Sequence, residues 1–165
     1  MGIEIEGEGT IIQTELSIEE IRDNIAAQVA LELSIVWEQI KDLAIIICPK
    51  ETGALASSIM TESEGGGGAI MAGGEGGGTG TMRVGGGDGD FYNNAIFAGS
   101  SDVINSKSGL PTSFYALFVH DGHTMPDGNF YEGVPFLTDA VMAYQDELDT
   151  AVDRAMSEND WNTQG

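Results

Sequence analysis

A chain of 165 residues, 41% of them hydrophobic, is long enough to bury one core, and its charge is lopsided, with 27 acidic residues against 6 basic ones and a net charge of −21. That balance excludes an electrostatic grip on nucleic acid, which needs clustered Lys and Arg to displace counterions from phosphates. Arg22, Lys41, Lys50, Arg83, Lys107 and Arg154 are instead scattered singly.

In chain order, Ile3 and Ile5 alternate with Glu4 and Glu6, a short strand signal that turns at residues 7–9 and returns through 10–13. The acidic N-terminus lacks the basic residues of a signal peptide, and Glu6 stands where a myristoylation signal needs Ser or Thr. Ser17 with Glu20 forms a capping-box signature. Beyond it Ile18, Ile21, Ile25, Val29, Val36, Ile40, Leu43 and Ile47 fall on one face at helical spacing, which predicts a helix of about 30 residues, roughly 45 Å long. Pro49 ends it. Cys48, the lone cysteine, excludes a disulfide framework or a C-x-x-C pair and reads as a small buried apolar group. Thr52 then caps a short helical turn through Ser58, with Leu55 and Ile59 as apolar anchors and Gly53 allowing close backbone approach.

Residues 65–89 hold fourteen of the 24 glycines and read as a flexible excursion inside a single domain spanning 1–165. At its end, Asp88 and Asp90 sit in a string from Gly85 to Phe91 resembling calcium-binding nonapeptide repeats, but the repetition such a roll needs is missing. The segment also lacks the Lys-Ser or Lys-Thr ending of a phosphate-binding loop. Residues 81–84, 92–98 and 113–119 carry β-branched and aromatic residues expected of antiparallel strands. The last of these is apolar at every position from Phe114 to Val119, which fits equally a strand buried on both faces or a short buried helix. Pro135 opens a final helix with Phe136, Leu137, Val141, Tyr144, Leu148 and Val152 on one stripe. No run of about eighteen apolar residues occurs, so no membrane-spanning helix is expected.

Few residues suggest chemistry. His120, Asp121 and His123, with Asp127 nearby, are the metal-ligand candidates, but Gly122, Pro126 and Gly128 place them in a loop where convergence is not expected, and surface loop residues are the favoured reading. Ser57 and Ser58 lack a nucleophile-elbow context, and carboxylate pairs carry no information in a chain acidic throughout, so no enzyme and no cofactor is expected. Charge repulsion on this scale is relieved where salt shortens the screening length from about 10 Å at 0.1 M to about 3 Å at 1 M, which points to a salt-loving host.

Three strings in order carry a resemblance. They are Cys48-Pro49-Lys50-Glu51-Thr52-Gly53-Ala54-Leu55-Ala56-Ser57-Ser58-Ile59, Tyr115-Ala116-Leu117-Phe118-Val119-His120-Asp121-Gly122 and Pro135-Phe136-Leu137-Thr138-Asp139-Ala140. Together they resemble the tail-completion, or head-to-tail joining, neck proteins of tailed viruses with long non-contractile tails, whose members carry P-x-x-T-G-x-L-x-x-S-I, Y-A-x-Y-V-E-x-G-T and P-F-L-x-x-A strings. The matching positions are Pro49, Thr52, Gly53, Leu55, Ser58 and Ile59; Tyr115, Ala116, Val119 and Gly122; and Pro135, Phe136, Leu137 and Ala140. His120 stands where the family usually has Glu, and His123 where it usually has Thr.

The resemblance implies an α+β subunit in which the long N-terminal helix and the C-terminal helix pack on an antiparallel sheet. It implies a hexameric ring at the head–tail junction, with a head-completion or adaptor neck protein above and the tail-tube protein below. DNA would pass through the channel without specific binding, in a virion made in the host cytoplasm. With the acidic composition the resemblance points to a virus of a halophilic, archaeal host, the alternative being an acidic protein of an ordinary cytosol. The alternatives are a tail-tube or tail-terminator subunit, also a virion part, and an acidic calcium-binding module built on Asp88, Asp90 and the His120 loop.

Overall fold

The computed structural model describes residues 7–61, 82–85 and 95–158, with side chains placed within 18–61, at Val84 and within 95–157. The fold is α+β with helix dominant. A long helix α1 (Gly7–Ile47) leads to a short α2 (Ala54–Ser57), followed by strands β1 (Met60–Thr61), β2 (Met82–Gly85) and β3 (Ala95–Ala98). Then come helix α3 (Thr112–Asp121), a hairpin of β4 (Gly122–Thr124) and β5 (Phe130–Glu132), and helices α4 (Phe136–Ala143) and α5 (Gln145–Glu158). One antiparallel sheet has the order β1-β3-β2 and the other is the β4–β5 hairpin.

Helix α1 runs 41 residues, about 62 Å at 1.5 Å per residue. It therefore starts ten residues earlier than the capping signature at Ser17 suggests, and residues 10–13, expected as a returning strand, are its first turns. Ser and Glu three apart are compatible with a helix interior as well as with its start. The expected partner strand at 3–6 lies outside the described residues. Val29, Leu33, Val36, Trp37, Ile40, Ala44 and Cys48 are buried, while Ile25, Leu43 and Ile47 are half-buried. Ile18 and Ile21, on the same stripe, are exposed because the helix there overruns the elements that cover it.

Helix α1 ends at Ile47, two residues before Pro49, as proline geometry requires. Helices α4 and α5 pack along it, with Phe136, Leu137, Ala140, Ala151 and Ala155 buried. The expected single C-terminal helix is broken at Tyr144, whose φ of −111° and ψ of 16° leave the helical range. The β2–β3 pair sets Arg83 opposite Phe97 and Val84 opposite Ile96, and Ile96 is fully buried. Strand β2 matches the strand expected at 81–84, within the glycine-rich stretch 65–89; residues 65–81 and 86–89 of that stretch, with Asp88, are outside the described residues, as is Asp90.

The segment 113–119, grouped with the strands but also compatible with a helix, belongs to helix α3. Thr112, Ala116 and His120, four residues apart, form its buried face. Thr112 anchors its start, donating from Oγ1 to the Ser100 carbonyl (3.1 Å) and accepting from the Ser100 amide (2.8 Å). Gly122 ends it at φ 82°, and a Cβ there would stand 2.5 Å from the Tyr131 carbonyl oxygen, so a side chain is excluded by both angle and space.

Candidate interaction surface

The residues of the three strings meet in one core. Gly53 holds the position before α2 at φ 75°; a Cβ there would meet nothing within 4 Å, so the angle and not the expected close backbone approach calls for glycine. The Thr52 hydroxyl accepts from the Ala54 amide at 3.4 Å. The cap position expected for Thr52 is thus held by Gly53, and Thr52 braces the turn from one residue before it. Leu55 and Ile59 are buried, and buried Ser58 donates to the Leu55 carbonyl (2.7 Å) while accepting from the Gly99 amide (3.0 Å). That single hydroxyl ties the first string to the end of β3. Pro49 is half-buried at the turn out of α1.

In the second string Ala116 is fully buried beneath the end of β3: a Cβ on Gly99 would stand 3.0 Å from that of Ala116. Half-buried Tyr115 accepts at its hydroxyl from Asn105 Nδ2 (3.3 Å), and the Val119 carbonyl accepts from the Val134 amide (2.9 Å). In the third, Phe136, Leu137 and Ala140 are fully buried and Pro135 is exposed just before α4. These residues specify packing and chain direction; few of them reach the surface.

The stretch expected as a surface loop is instead the end of α3 at His120 and Asp121 and strand β4 at His123, because Gly122 turns the chain directly into the hairpin, and the two imidazoles diverge. His120 is 4% exposed; its Nδ1 pairs with the Asp121 carboxylate, its Nε2 faces the Thr138 amide (3.5 Å) and hydroxyl (3.3 Å), and its ring stands edge-on to Phe136 at 5.2 Å. Helix α4 receives no side-chain cap from Pro135, so the imidazole supplies an acceptor to its first turn from a neighbouring helix. His123 lies between Phe118 (5.4 Å) and Tyr131 (5.5 Å) on the hairpin. Asp127 accepts from the amide and side chain of Asn129 in the hairpin turn, and these bonds hold its carboxyl below the usual carboxylate range. Among the described residues, no group of three or more His, Cys, Asp or Glu side chains converges on a point where a metal ion would sit.

Cys48 is buried at the end of α1, and burial pushes its thiol up to about 11, with the Lys50 charge pulling partway back. The folded state therefore holds the proton more tightly than the unfolded one. This contribution to stability is complete below about pH 9 and is lost as pH rises toward 11, at ~1.4 kcal/mol per unit. We expect a disulfide reagent at pH 8 to label the native chain at least ~100-fold more slowly than the denatured chain. Equal rates would place the thiol at the surface.

Solvent-facing residues offer two surfaces instead. One is a groove of about 410 Å³ between α1 and α5, lined by Ile35, Val36 and Ala151 and rimmed by Glu32, Asp146, Glu147 and Arg154; the Arg154–Glu32 ion pair (3.0 Å) spans it. The other is apolar. Phe114 (43% exposed) and Leu117 (38%) point outward from α3, and Phe130 (67%) and Tyr131 (41%), adjacent on β5, are exposed on opposite sides of the hairpin. Sequence reading missed this surface because it placed the segment as buried and the hairpin as loop.

Comparison with protein families, curated proteins and solved structures finds no match to this chain.

Proposed function

We propose that this protein is a structural virion subunit. In this reading it forms a hexameric ring at the head–tail junction of a tailed virus, completes the tail, joins it to the neck above and leaves a channel for DNA. The observation that carries this reading is the ordered trio of strings, whose side chains build one core: Leu55 and Ile59, Ala116, and Phe136, Leu137 and Ala140 all belong to it. A shared fold-specifying core is the physical reason for such strings to stay in register. The role is one of interfaces and not of catalysis, and the acidic surface would repel DNA phosphates and favour sliding through a channel.

The test is the position and copy number of the chain in isolated virions, by labelled electron microscopy and quantitative mass spectrometry. One ring at the junction supports the proposal. Many copies along the tail would make it a tube subunit, and absence from virions overturns it.

A further inference from the structure

The apolar stripe of α1 continues past the point where its cover stops. Val29 is fully buried, Ile25 half-buried, Ile21 36% exposed and Ile18 59% exposed, so the cover thins step by step toward the N-terminus while the helical spacing persists. The thinning follows the end of α5. Arg154 reaches Glu32 (3.0 Å), and the groove between the two helices is lined by Gln39 of α1 together with Asp146 and Glu147 of α5. Arg154 thus lies toward the earlier part of α1 and Asp146 toward the later part, so the helices run antiparallel. Each residue forward on α5 matches one residue back on α1, which sets Glu158, the end of α5, about level with Gln28. Beyond that level the stripe is open at Ile21 and Ile18. A helical arm without tertiary cover is marginal in water, and Gly7, Gly9, Thr10 and Thr14 lower the propensity of this one further.

We propose that residues 159–165 run on from α5 along α1, with Trp161 laid over Ile21 and Ile25. Direction and distance select this occupant. The segment leaves α5 at the level where the open stripe begins, heading along it. Trp161 follows Arg154 by seven residues, two helical turns, and Ile25 precedes Glu32 by seven, so a continued antiparallel pair brings Trp161 to Ile25 as it brings Arg154 to Glu32. Seven residues span about 10 Å as a helix and about 23 Å when extended, against about 10 Å along α1 from Gln28 back to Ile21. Composition agrees. Asn-Asp-Trp-Asn-Thr-Gln-Gly carries one charge, Asp160, and one large apolar side chain, whose flat ring buries well while its N–H stays at the rim. A second copy docked on the same stripe would set the Glu19, Glu20 and Asp23 of the two chains against each other, whereas this segment adds a single carboxylate. The inference goes beyond the ring assignment and does not rest on it.

The experiment is tryptophan fluorescence of the full chain in multimolar salt. The chain has two tryptophans, and Trp37→Phe leaves Trp161 as the sole emitter. Its emission is expected to lie to the blue of the urea-denatured chain, with acrylamide quenching at least ~3-fold slower, as for a ring packed on apolar side chains. Ile21→Asp in the same chain should return both readings to the denatured values. Leu31→Asp, exposed on another face of α1, should leave them unchanged. Native emission equal to that of the denatured chain overturns the inference, and protection that fades on dilution gives the stripe to a second copy and overturns it too. Hydrogen exchange with Trp37 intact reads the other side of the contact. Trp161→Ser is expected to speed exchange of amides 18–28 at least ~10-fold and to leave 33–44 unchanged, since only the arm loses cover. Equal rates at 18–28 in the two chains overturn the inference, while the virion assignment is decided separately by where the chain sits in particles.

Discussion

Replacing Phe136 with alanine is expected to lower stability by about 3–5 kcal/mol, the range for emptying an aromatic site in a packed core. Phe136 is fully buried, opens α4 and shares its core with Leu137, Ala140, Leu55 and Ile59. Its ring also fixes the His120 imidazole edge-on at 5.2 Å. Losing the ring leaves a cavity and frees the imidazole whose Nε2 faces the first turn of α4, so packing and capping fail together. Against a total of about 5–15 kcal/mol for a domain, this is a third or more of the fold's stability. Urea unfolding in multimolar salt reads it as a shift of midpoint, and a loss below about 1 kcal/mol would mean that the core closes around the gap. Leu117→Ala, at the open face of α3, should change the unfolding of the monomer by no more than ~0.5 kcal/mol.

The contrast between these two residues shows where sequence reading works. Phe136, Leu137 and Val141 announce a buried stripe by their spacing, and Pro49 announces the end of α1, because one residue type acts directly on the local backbone. Helix α3 resists the same reading. When every position is apolar, period carries no information, and the choice of face is made by what lies opposite: Gly99 admits Ala116 closely, and Thr112 bonds Ser100. Pro111 at the N-cap and Gly122 at the C-cap were the local signals that favour a helix there. The hairpin was harder still, since three-residue strands are too short for alternation to register, although Pro126, Asp127 and Gly128 form a turn signature between them.

The strings behave differently from the surface they support. A positive φ at Gly53, a brace from Thr52 and a buried hydroxyl at Ser58 need those residue types, although the spacing alone gave the cap to Thr52 and a close approach to Gly53. His120 places a ring acceptor against the first turn of α4, a role its position in the sequence did not announce. The apolar face was not legible, because exposure is a property of the assembled fold. It follows only once α3 is seen to turn Ala116 inward, and therefore Phe114 and Leu117 outward.

Raising salt from about 0.1 M to 1 M is expected to raise the melting temperature by roughly 10 °C, equivalent to about 3–5 kcal/mol for a domain of this size. With 27 acidic residues and 6 basic ones, at least 21 carboxylates can have no basic partner of their own. Arg22, Lys41, Lys107 and Arg154 are already in ion pairs. On α5, Asp146, Asp149 and Asp153 stand three and four residues apart with like charge, an arrangement that costs a few tenths of a kcal/mol per pair in dilute salt. Screening removes that cost as the Debye length shortens from about 10 Å to about 3 Å. Two mechanisms can raise stability with salt, and their curves differ. Screening saturates near 1 M, whereas strengthened apolar burial by excluded salts continues to rise in proportion to concentration. A steep early rise, flattened in an Asp149→Asn, Asp153→Asn variant, would assign the effect to carboxylate repulsion. A melting curve indifferent to salt would mean that the spacing of these charges on the folded chain already suffices, and the case for a salt-rich host would fall with it.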